Sequence, residues 1–535
     1  MALRAEGSQR RLRIGFVHPD LGIGGAERLV VDAALGLQEA GHIVEIFTSH
    51  HDPSRSFAET HDGTLKVHVL GNSLCPPSFR GKFTIVCSIL RQLNLVISLI
   101  LAITLHQLQG WPLTGWIIPA QTPCKSSADW SWRRAQEPYD VFFVDQLSAC
   151  LPLLRWVLRT RAVFYCHFPD LLLNPSKIGH NTGGLRNLYR IPIDAIEEFS
   201  TGQADKVLVN SLFTQQVFCQ TFPALQRTPR VVYPGIDVKA FQETSATNRD
   251  DASVQAIASD KPTLLSINRF EAKKNAALAL EAFAIVAKQM PHIRLVLAGG
   301  FDPRLQDNVT TLGALQTLAS TLDLHQHTFW PAAPSLSQSS IPRTRFEPVF
   351  SADQAPEATQ VLFLPNFTQI QKSYMLQSST TRALLYTPMN EHLGIVPLEA
   401  MASGLPVLAS DTGGPCETVI DLATEPSEGT GYLLPNTVER WTDAIRALLE
   451  MTDEQRQRVA SAGRRRVNAH FSTRSMCEKL DVALWETVSI RTMIWREPEF
   501  LNAIMIFSIP LLVICTFTFV LLNAPQHQRA VSQSI

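Results

Sequence analysis

Short apolar runs alternate with helical stretches twice along this chain, and this alternation limits the possible folds more than any other feature. In the first half the apolar runs are 12–17, 42–49, 141–144, 162–166 and 206–209. In the second half they are 262–267, 294–298, 361–364, 383–386 and 406–409. Strands of a parallel sheet are buried on both faces and read as continuous apolar runs, and helical stretches between them suit crossover connections. The chain is therefore predicted to be α/β, with two Rossmann-like domains built on parallel sheets.

The length of 535 residues is too great for one hydrophobic core and suits two domains of ordinary size. We predict an N-terminal domain over 12–237, a polar linker, a C-terminal domain over 262–470 and a helical segment over 471–498. The stretch 331–359 is rich in Ser, Pro and Gln. It predicts an insertion loop, because so long a structureless connection is unusual inside a compact domain.

Two apolar stretches indicate contact with a membrane. The stretch 500–523 has no charged residue and is long enough to cross the hydrocarbon core as a helix, so it predicts a transmembrane anchor. Pro510 either kinks a single span or divides the stretch into a hairpin. Arg491 and Arg496 precede the stretch and favour a cytosolic main body. The shorter stretch 93–105 predicts a segment in the membrane interface, with a buried core helix as the alternative.

The composition excludes several classes of protein. With 47 basic and 48 acidic residues, the chain lacks the positive charge of a nucleic-acid-binding protein. Its nine cysteines form no Cys-x-x-Cys pair, and no histidine cluster has the spacing of metal ligands, so neither structural zinc nor a cofactor is expected. The first residues do not form a secretory signal peptide, which places the main body in the reducing cytosol.

Two glutamates, Glu391 and Glu399, stand eight positions apart in the segment NEHLGIVPLEA. This spacing brings both carboxylates to one side of a turn and the helix that follows it. Two such carboxylates accept hydrogen bonds from several hydroxyl groups, including those of a sugar and of a ribose. The alternative is a pair of solvated surface acids. The flanking turn residues and the apolar run favour the binding site.

Basic residues and glycines follow two other predicted strands. Arg269 and Lys274 come after the strand that ends at 267, where cationic groups bind a diphosphate and stabilise it as it leaves. Gly413 and Gly414 follow the strand 406–409, and glycines there let backbone amides approach a phosphate. A solvated basic turn and a plain glycine turn are the alternative interpretations.

The first domain carries a glycine-rich turn and a candidate histidine. Gly24 and Gly25 are able to bring amides close to an acceptor phosphate or a donor diphosphate. Glu27 stands where the G-x-G-x-x-G fingerprint requires glycine, which argues against NAD or FAD binding. His167 follows the strand 162–166 and is predicted to contact ligand, with Asp170 as its hydrogen-bond partner.

Together these segments resemble the retaining glycosyltransferases of family 4, and within them the eukaryotic alpha-1,3/1,6-mannosyltransferases of the dolichol pathway. The resemblance rests on the stretches GFVHPDLGIGGAERLVVDAA, VFFVDQLSACLPLLR, FYCHFPDLLL, VLVNSLFT, YPGIDV and NEHLGIVPLEAMASGLPVLASDTGGPCE. It implies the GT-B fold, in which two Rossmann-like domains face each other. It also implies GDP-mannose as donor, a mannosylated chitobiose diphosphodolichol as acceptor, and the cytosolic face of the endoplasmic reticulum membrane, alongside other mannosyltransferases of that pathway.

The resemblance also implies a role for each candidate residue. Glu399 binds the ribose and Glu391 the mannose, Arg269 and Lys274 neutralise the diphosphate, and His167 contacts the mannose. Gly413 and Gly414 supply amides to the donor, and transfer needs no metal. The alternatives are a related transferase with a different nucleotide sugar or lipid acceptor, and a non-catalytic membrane-anchored homologue.

Overall fold

The computed structural model of this chain describes residues 10–71, 84–107, 139–169, 172, 184–242, 251–329 and 355–490. These residues form two compact units. Unit 1 comprises the chain up to Val209, Thr214–Val231 and the chain from Cys477 onward, and unit 2 comprises Asn210–Phe213 and Val232–Met476. The predicted transmembrane anchor 500–523 and most of the predicted insertion 331–359 lie outside the described residues.

Unit 1 is built on a parallel sheet whose strand order is β3-β2-β1-β4-β5-β6-β7. The order runs in opposite directions on either side of β1 and β4, so these neighbouring strands form the topological switch point. The candidate residues of this unit follow the carboxyl ends of β1 and β5. The strands are β1 (Arg13–Asp20), β2 (Ile43–His50), β3 (Lys66–Val69), β4 (Val141–Asp145), β5 (Arg161–Cys166), β6 (Lys206–Val209) and β7 (Arg230–Val231).

Unit 2 has a second parallel sheet, with the order β10-β11-β9-β8-β12-β13-β14 and its switch point between β8 and β12. Leu264 and Leu265 of β8 are both fully buried but belong to two different hydrophobic clusters, one on each face of the sheet. This two-sided burial explains the continuous apolar runs. The strands are β8 (Thr263–Ile267), β9 (Arg294–Gly299), β10 (Gln326–Thr328), β11 (Val361–Pro365), β12 (Thr381–Tyr386), β13 (Val407–Ser410) and β14 (Gly431–Leu434).

Helices connect these strands. Those up to β7 are α1 (Gly25–Glu39), α2 (Thr84–Gln107), α3 (Leu151–Trp156), α4 (Gly184–Gly202) and α5 (Leu212–Thr221). Those that follow are α6 (Val238–Gln242), α7 (Ala252–Ile257), α8 (Ala276–Ala287), α9 (Gln306–Thr321), α10 (Gln369–Gln377), α11 (Ile395–Ser403), α12 (Pro415–Thr418), α13 (Val438–Leu449), α14 (Asp453–His470) and α15 (Thr473–Val488).

Helix α2 contains the apolar stretch 93–105 and extends well before it. Among the described residues, Thr84–Ile103 is long and apolar enough to span a membrane, but 44% of that stretch is buried within the protein. Leu95 and Leu99 pack with Phe47 of β2 in the core, whereas Ile97 is 45% exposed. Strands β3 and β4, before and after α2, belong to one sheet. The helix is thus a crossover connection whose inner face packs in the core, and contact of the predicted segment 93–105 with the membrane interface stays a prediction.

The last described helix, α15, completes unit 1. Its Cys477 packs against Gly36 of α1 so closely that a Cβ at Gly36 would lie 2.1 Å from the sulfur atom. Asp481 is 2.9 Å from Nε2 of His42, and Glu486 accepts from Arg230 at 2.9 Å. Unit 1 is therefore assembled from both ends of the described chain.

The boundary between the units differs from the predicted one. Unit 2 begins again at Val232, and the predicted polar linker contains α7, in which Val254 and Ile257 are buried in the core of unit 2. The linker was predicted from its polar composition, but the apolar residues within it pack on the sheet. The predicted helical segment 471–498 contains α15.

Candidate functional site

The candidate residues of unit 2 lie beyond the carboxyl ends of β8, β12 and β13, and β8 and β12 are the two strands at the switch point. Lys274 follows β8 and Glu391 follows β12, and their side chains form an ion pair. The two side chains are only 17% and 23% exposed. Partial burial strengthens such a pair relative to one in solvent. The structure thus brings together two residues that the sequence separates by more than a hundred positions.

Two residues that the sequence did not single out lie next to this ion pair. Thr387 is fully buried, and its hydroxyl donates to the carbonyl of Lys274 at 2.6 Å. Burial and the nearby carboxylate of Glu391 raise the pKa of Tyr386 well above its ordinary value. The Tyr386 hydroxyl therefore stays protonated beside Glu391. Both residues lie at the end of β12, where their apolar neighbours gave no sign of a polar role.

Glu399 lies in α11 and is almost completely buried. Its Oε1 accepts from Nζ of Lys372 at 2.6 Å. Its Oε2 is also buried and has no hydrogen-bond partner among the residues that the structure describes. Burial raises the pKa of Glu399, and the charge of Lys372 opposes this rise. The carboxylate thus has one oxygen held by the protein and one able to accept from a ligand.

Gly413 and Gly414 bring two loops into close contact. Gly413 has φ +73°, and a Cβ there would lie 2.6 Å from the carbonyl oxygen of Glu391. The amide of Gly414 donates to that same carbonyl at 2.7 Å. Only glycine permits this approach without strain. In this structure the glycines fix the backbone of Glu391, and the Gly414 amide already has a protein acceptor.

Arg269 lies on the surface after β8. Its side chain is 71% exposed, and its guanidinium is 3.5 Å from Glu271. Lys273 is similarly exposed and contacts the same glutamate at 3.2 Å. Of the two residues of the predicted phosphate pair, Lys274 is thus held within the site and Arg269 projects into solvent.

The candidate His167 of unit 1 contacts Asp145, a buried carboxylate at the end of β4, which also contacts His18. Its Oδ2 is 2.9 Å from Nδ1 of His18 at the end of β1. Its Oδ1 is 2.8 Å from Nε2 of His167, just after β5. The predicted partner of His167, Asp170, lies outside the described residues. The partner that the structure shows is Asp145, which comes from the neighbouring strand.

Charges alternate along this cluster. Burial opposes the charged form of His18, but the carboxylates of Asp145 and Glu27 outweigh that effect and raise its pKa to about 9. Burial also opposes ionisation of Asp145, yet the two histidines lower its pKa to about 2. An ionised carboxylate only accepts hydrogen bonds. The nitrogens of His18 and His167 that face Asp145 must therefore carry hydrogens.

The glycine-rich turn of unit 1 leads into α1. Gly24 is the residue before the helix, and Gly25 is its first residue. The carboxylate of Glu27 lies over this turn, because a Cβ at Gly24 would be 2.2 Å from Oε2 of Glu27. Oε1 of Glu27 is 3.9 Å from Nε2 of His18. The first turn of α1 therefore has an acidic side chain of its own where an anion was expected.

Two family models match the chain. The model of glycosyltransferase family 4 matches residues 23–240. The model of group 1 glycosyl transferases matches 248–337 and 347–466. The interruption between 337 and 347 falls inside the predicted insertion.

Solved structures of glycosyltransferases share the fold. Sucrose-phosphate synthase from Thermosynechococcus elongatus superposes with a TM-score of 0.59 at 18% identity, covering 89% of this chain and 99% of that chain. Anabaena Alr3699/HepE in complex with UDP gives a TM-score of 0.57 at 17% identity, covering 89% of this chain and 100% of that chain. At these identities the likeness shows a GT-B-like fold with two parallel sheets, and nothing about substrate.

Curated relatives are much closer in sequence. The alpha-1,3/1,6-mannosyltransferase ALG2 of Rhizomucor pusillus is 40% identical over 486 residues, covering 90% of this chain and 92% of the relative. The Kluyveromyces lactis enzyme of the same name is 42% identical, covering 89% of this chain and 85% of the relative. The Saccharomyces cerevisiae enzyme is 38% identical, covering 91% of this chain and 86% of the relative. The chain therefore belongs to the family of alpha-1,3/1,6-mannosyltransferases named ALG2.

Proposed function

We propose that this chain transfers mannose from GDP-mannose to Man1GlcNAc2-diphosphodolichol, forming an alpha-1,3 and an alpha-1,6 linkage with retention at the anomeric carbon. The observation that carries this proposal is the identity of about 40% with alpha-1,3/1,6-mannosyltransferases over about 90% of the chain. The product is an intermediate of lipid-linked oligosaccharide synthesis for N-glycosylation. The specific donor and acceptor come from the resemblance of the sequence motifs.

In this proposal unit 2 binds the donor. Glu399 accepts from the ribose hydroxyls, and Glu391 from the mannose hydroxyls. Lys274 and Arg269 neutralise the diphosphate, with Gly413 and Gly414 shaping the loop beside it. The Lys274–Glu391 ion pair supports this assignment, because it holds a cation and a carboxylate together at the switch point of the sheet, where doubly wound folds bind ligands.

The chemical role of the cations follows from the transition state. As the glycosidic bond to the diphosphate breaks, the sugar gains positive charge and the departing diphosphate gains negative charge. Cations already fixed beside the diphosphate stabilise that state more than the ground state, which lowers the barrier. Lys274 is fixed by Thr387 and Glu391, so it costs little reorganisation during the reaction.

In unit 1 we propose that His167 contacts the mannose and that the turn at Gly24 and Gly25 contacts the acceptor. The hydrogen bond to Asp145 supports a ligand-binding role for His167, because a buried carboxylate fixes the ring orientation. The carboxylate of Glu27 beside Gly24 favours acceptor hydroxyls over phosphate at this turn.

The proposed acceptor is a lipid, and this agrees with a membrane location. We propose that the uncharged stretch 500–523 anchors the chain in the endoplasmic reticulum membrane, with both units on the cytosolic side. Other mannosyltransferases acting on that face are proposed partners, because they would supply or consume the same lipid-linked sugars.

One set of donor residues serves both linkages in this proposal. The described residues of unit 2 hold one Lys274–Glu391 pair at the switch point. A single donor site that accepts two successive acceptors is the simpler arrangement. The product of the first transfer, which carries the first mannose, is then the acceptor for the second transfer.

A transfer assay with the full chain in detergent or liposomes tests the proposal. The reaction contains GDP-mannose and Man1GlcNAc2-diphosphate-lipid, and product masses are read directly. Wild type should add two hexoses, Glu391→Ala none, and the exposed control Glu425→Ala two. No transfer despite GDP binding would contradict the proposed acceptor. Binding of UDP in place of GDP would indicate another donor, and absence of nucleotide binding would favour a non-catalytic homologue.

A further inference from the structure

Helix α10 carries a lysine whose position is fixed by the local sequence. The helix begins with a capping box, in which Thr368 and Gln371 each bond the other's backbone. The Gln371 side chain also donates to the carbonyl of Ser253 at 2.9 Å, which ties the start of the helix to α7. The residue after Gln371 is Lys372. Its backbone is thus held by the capping box at the start of the helix.

The side chain of Lys372 is mostly buried between an acid and an aromatic ring. Its Nζ is 2.6 Å from Oε1 of Glu399 and 5.9 Å from the centre of the Phe241 ring. The side chain is 17% exposed. A lysine ammonium usually remains in water, so its burial here requires the paired carboxylate and the ring face.

The pair leaves Glu399 with an unused acceptor. Oε2 of Glu399 is buried and has no hydrogen-bond partner among the described residues, whereas Oε1 is held by Lys372. A buried carboxylate oxygen without a partner is costly. A ligand hydroxyl that donates to Oε2 would remove that cost, and a vicinal diol such as that of a ribose supplies such donors.

We propose that Lys372 is a positioning residue of the donor site, which holds Glu399 so that its Oε2 is presented to the ribose hydroxyls of the nucleotide. This inference rests on the proposed function, since it assumes that Glu399 binds the ribose. It adds a residue that the sequence motif does not contain. Lys372 lies 27 positions before Glu399 and acts through it, without touching the nucleotide.

Without Lys372 two changes weaken ribose recognition together. Glu399 loses the charge that opposes its protonation in a buried position, and its carboxyl group becomes free to rotate. A protonated or rotated carboxyl group no longer presents a fixed anionic acceptor. The contribution of the ribose hydroxyls to binding should therefore disappear, while binding of the diphosphate at Lys274 continues.

A comparison of GDP with 2′,3′-dideoxy-GDP measures this contribution. Affinities are determined by calorimetry on the full chain in detergent, for wild type, Lys372→Met, Lys372→Arg and the exposed control Lys239→Met. Wild type should prefer GDP by roughly ten- to a hundredfold, the value of hydrogen bonds to a charged acceptor. Lys372→Met should bind both ligands with the wild-type affinity for dideoxy-GDP. Lys372→Arg should regain part of the preference, and Lys239→Met should keep all of it.

The outcomes separate this inference from the proposed function. A Lys372→Met variant that keeps the full preference for GDP would refute the role of Lys372 alone. Equal loss of affinity for both ligands would also refute it, because that result indicates a direct or merely structural role. A wild-type preference near one would refute the ribose assignment of Glu399, and with it the role of Lys372.

Discussion

The substitution Asp145→Asn should remove a contribution to stability that depends on pH. Asp145 accepts from His18 at 2.9 Å and from His167 at 2.8 Å, and all three groups meet at the carboxyl edge of the unit 1 sheet. Asparagine keeps one acceptor oxygen but turns an NH2 group towards one of the two histidines. Two donors then face each other in a buried position, and His18 loses its main counter-charge.

The magnitude follows from the pKa of His18. Its rise from 6.5 to about 9 corresponds, at 1.36 kcal/mol for each pKa unit, to about 3 kcal/mol of stabilisation of the fold. Because the folded-state pKa is raised, this stabilisation is complete below about pH 6.5 and is lost as the pH rises through about 9. Asp145, with its pKa of about 2, remains ionised throughout that window.

Chemical unfolding of the full chain in detergent, repeated between about pH 6 and pH 9.5, measures the effect. The difference in free energy of unfolding between wild type and Asp145→Asn should be about 3 kcal/mol larger at the acidic end. Peptide-resolved hydrogen exchange in β1 and β4, corrected for the intrinsic effect of pH, assigns the change to unit 1.

The matched control is Asp140→Asn, just before the same strand. Asp140 contacts Arg10 and the amide of Arg13, so its loss should lower stability without this pH dependence. If the difference in free energy of unfolding between wild type and Asp145→Asn stays constant across this pH range, the reasoning is refuted. A difference that grows as the pH rises would also refute it, because His18 would then not be the charged partner.

Three further outcomes follow from the site in unit 2. Lys274→Ala should lower turnover on the order of a hundredfold or more while the protein still folds, whereas Lys273→Ala, whose side chain is 74% exposed, should remain near wild type in the transfer assay. Equal losses in the two variants would contradict the distinction. Gly413→Ala should destabilise the protein by more than the roughly 1–3 kcal/mol of strain alone, because its Cβ would meet the carbonyl of Glu391 at 2.6 Å. Gly63 also has a positive φ, but a Cβ there would meet nothing within 4 Å, so Gly63→Ala measures the backbone strain alone. Equal losses of unfolding free energy in Gly413→Ala and Gly63→Ala would contradict a cost from the close contact at Gly413. Glu391→Ala should abolish both linkages in the product masses, and a variant that still forms one of them would require a second site.

The interior strands could be predicted from the sequence because both faces of each sheet are buried. The strands that the sequence did not reveal are β3, β7, β10 and β14, and each is an edge strand of its sheet. An edge strand has a neighbour on one side only and is less covered. In β3 and β10, accordingly, every residue is exposed or only partly buried. Their apolar pattern is therefore too weak to separate from loops.

In the site, too, residues within a local sequence motif could be predicted, and residues that act through contacts between distant parts of the chain could not. Lys274, Glu391 and Glu399 were predicted because each stands in a short segment with a recognisable chemical pattern. Asp145 and Lys372 were not, since each acts on a residue that only the folded chain brings near. The partner of His167 shows this directly, because local sequence suggested Asp170 and the adjacent strand supplies Asp145.

Helix α15 has a consequence for how the chain is made. Residues up to Met476 complete unit 2, but unit 1 still lacks the helix that contacts Gly36 and His42. On the ribosome, the domain that begins first is therefore the last to be finished, and it waits with an uncovered surface while more than two hundred residues are added. A chain that stops just after Met476 would contain all of unit 2 but would lack the helical residues that pack against Gly36 and His42 in unit 1.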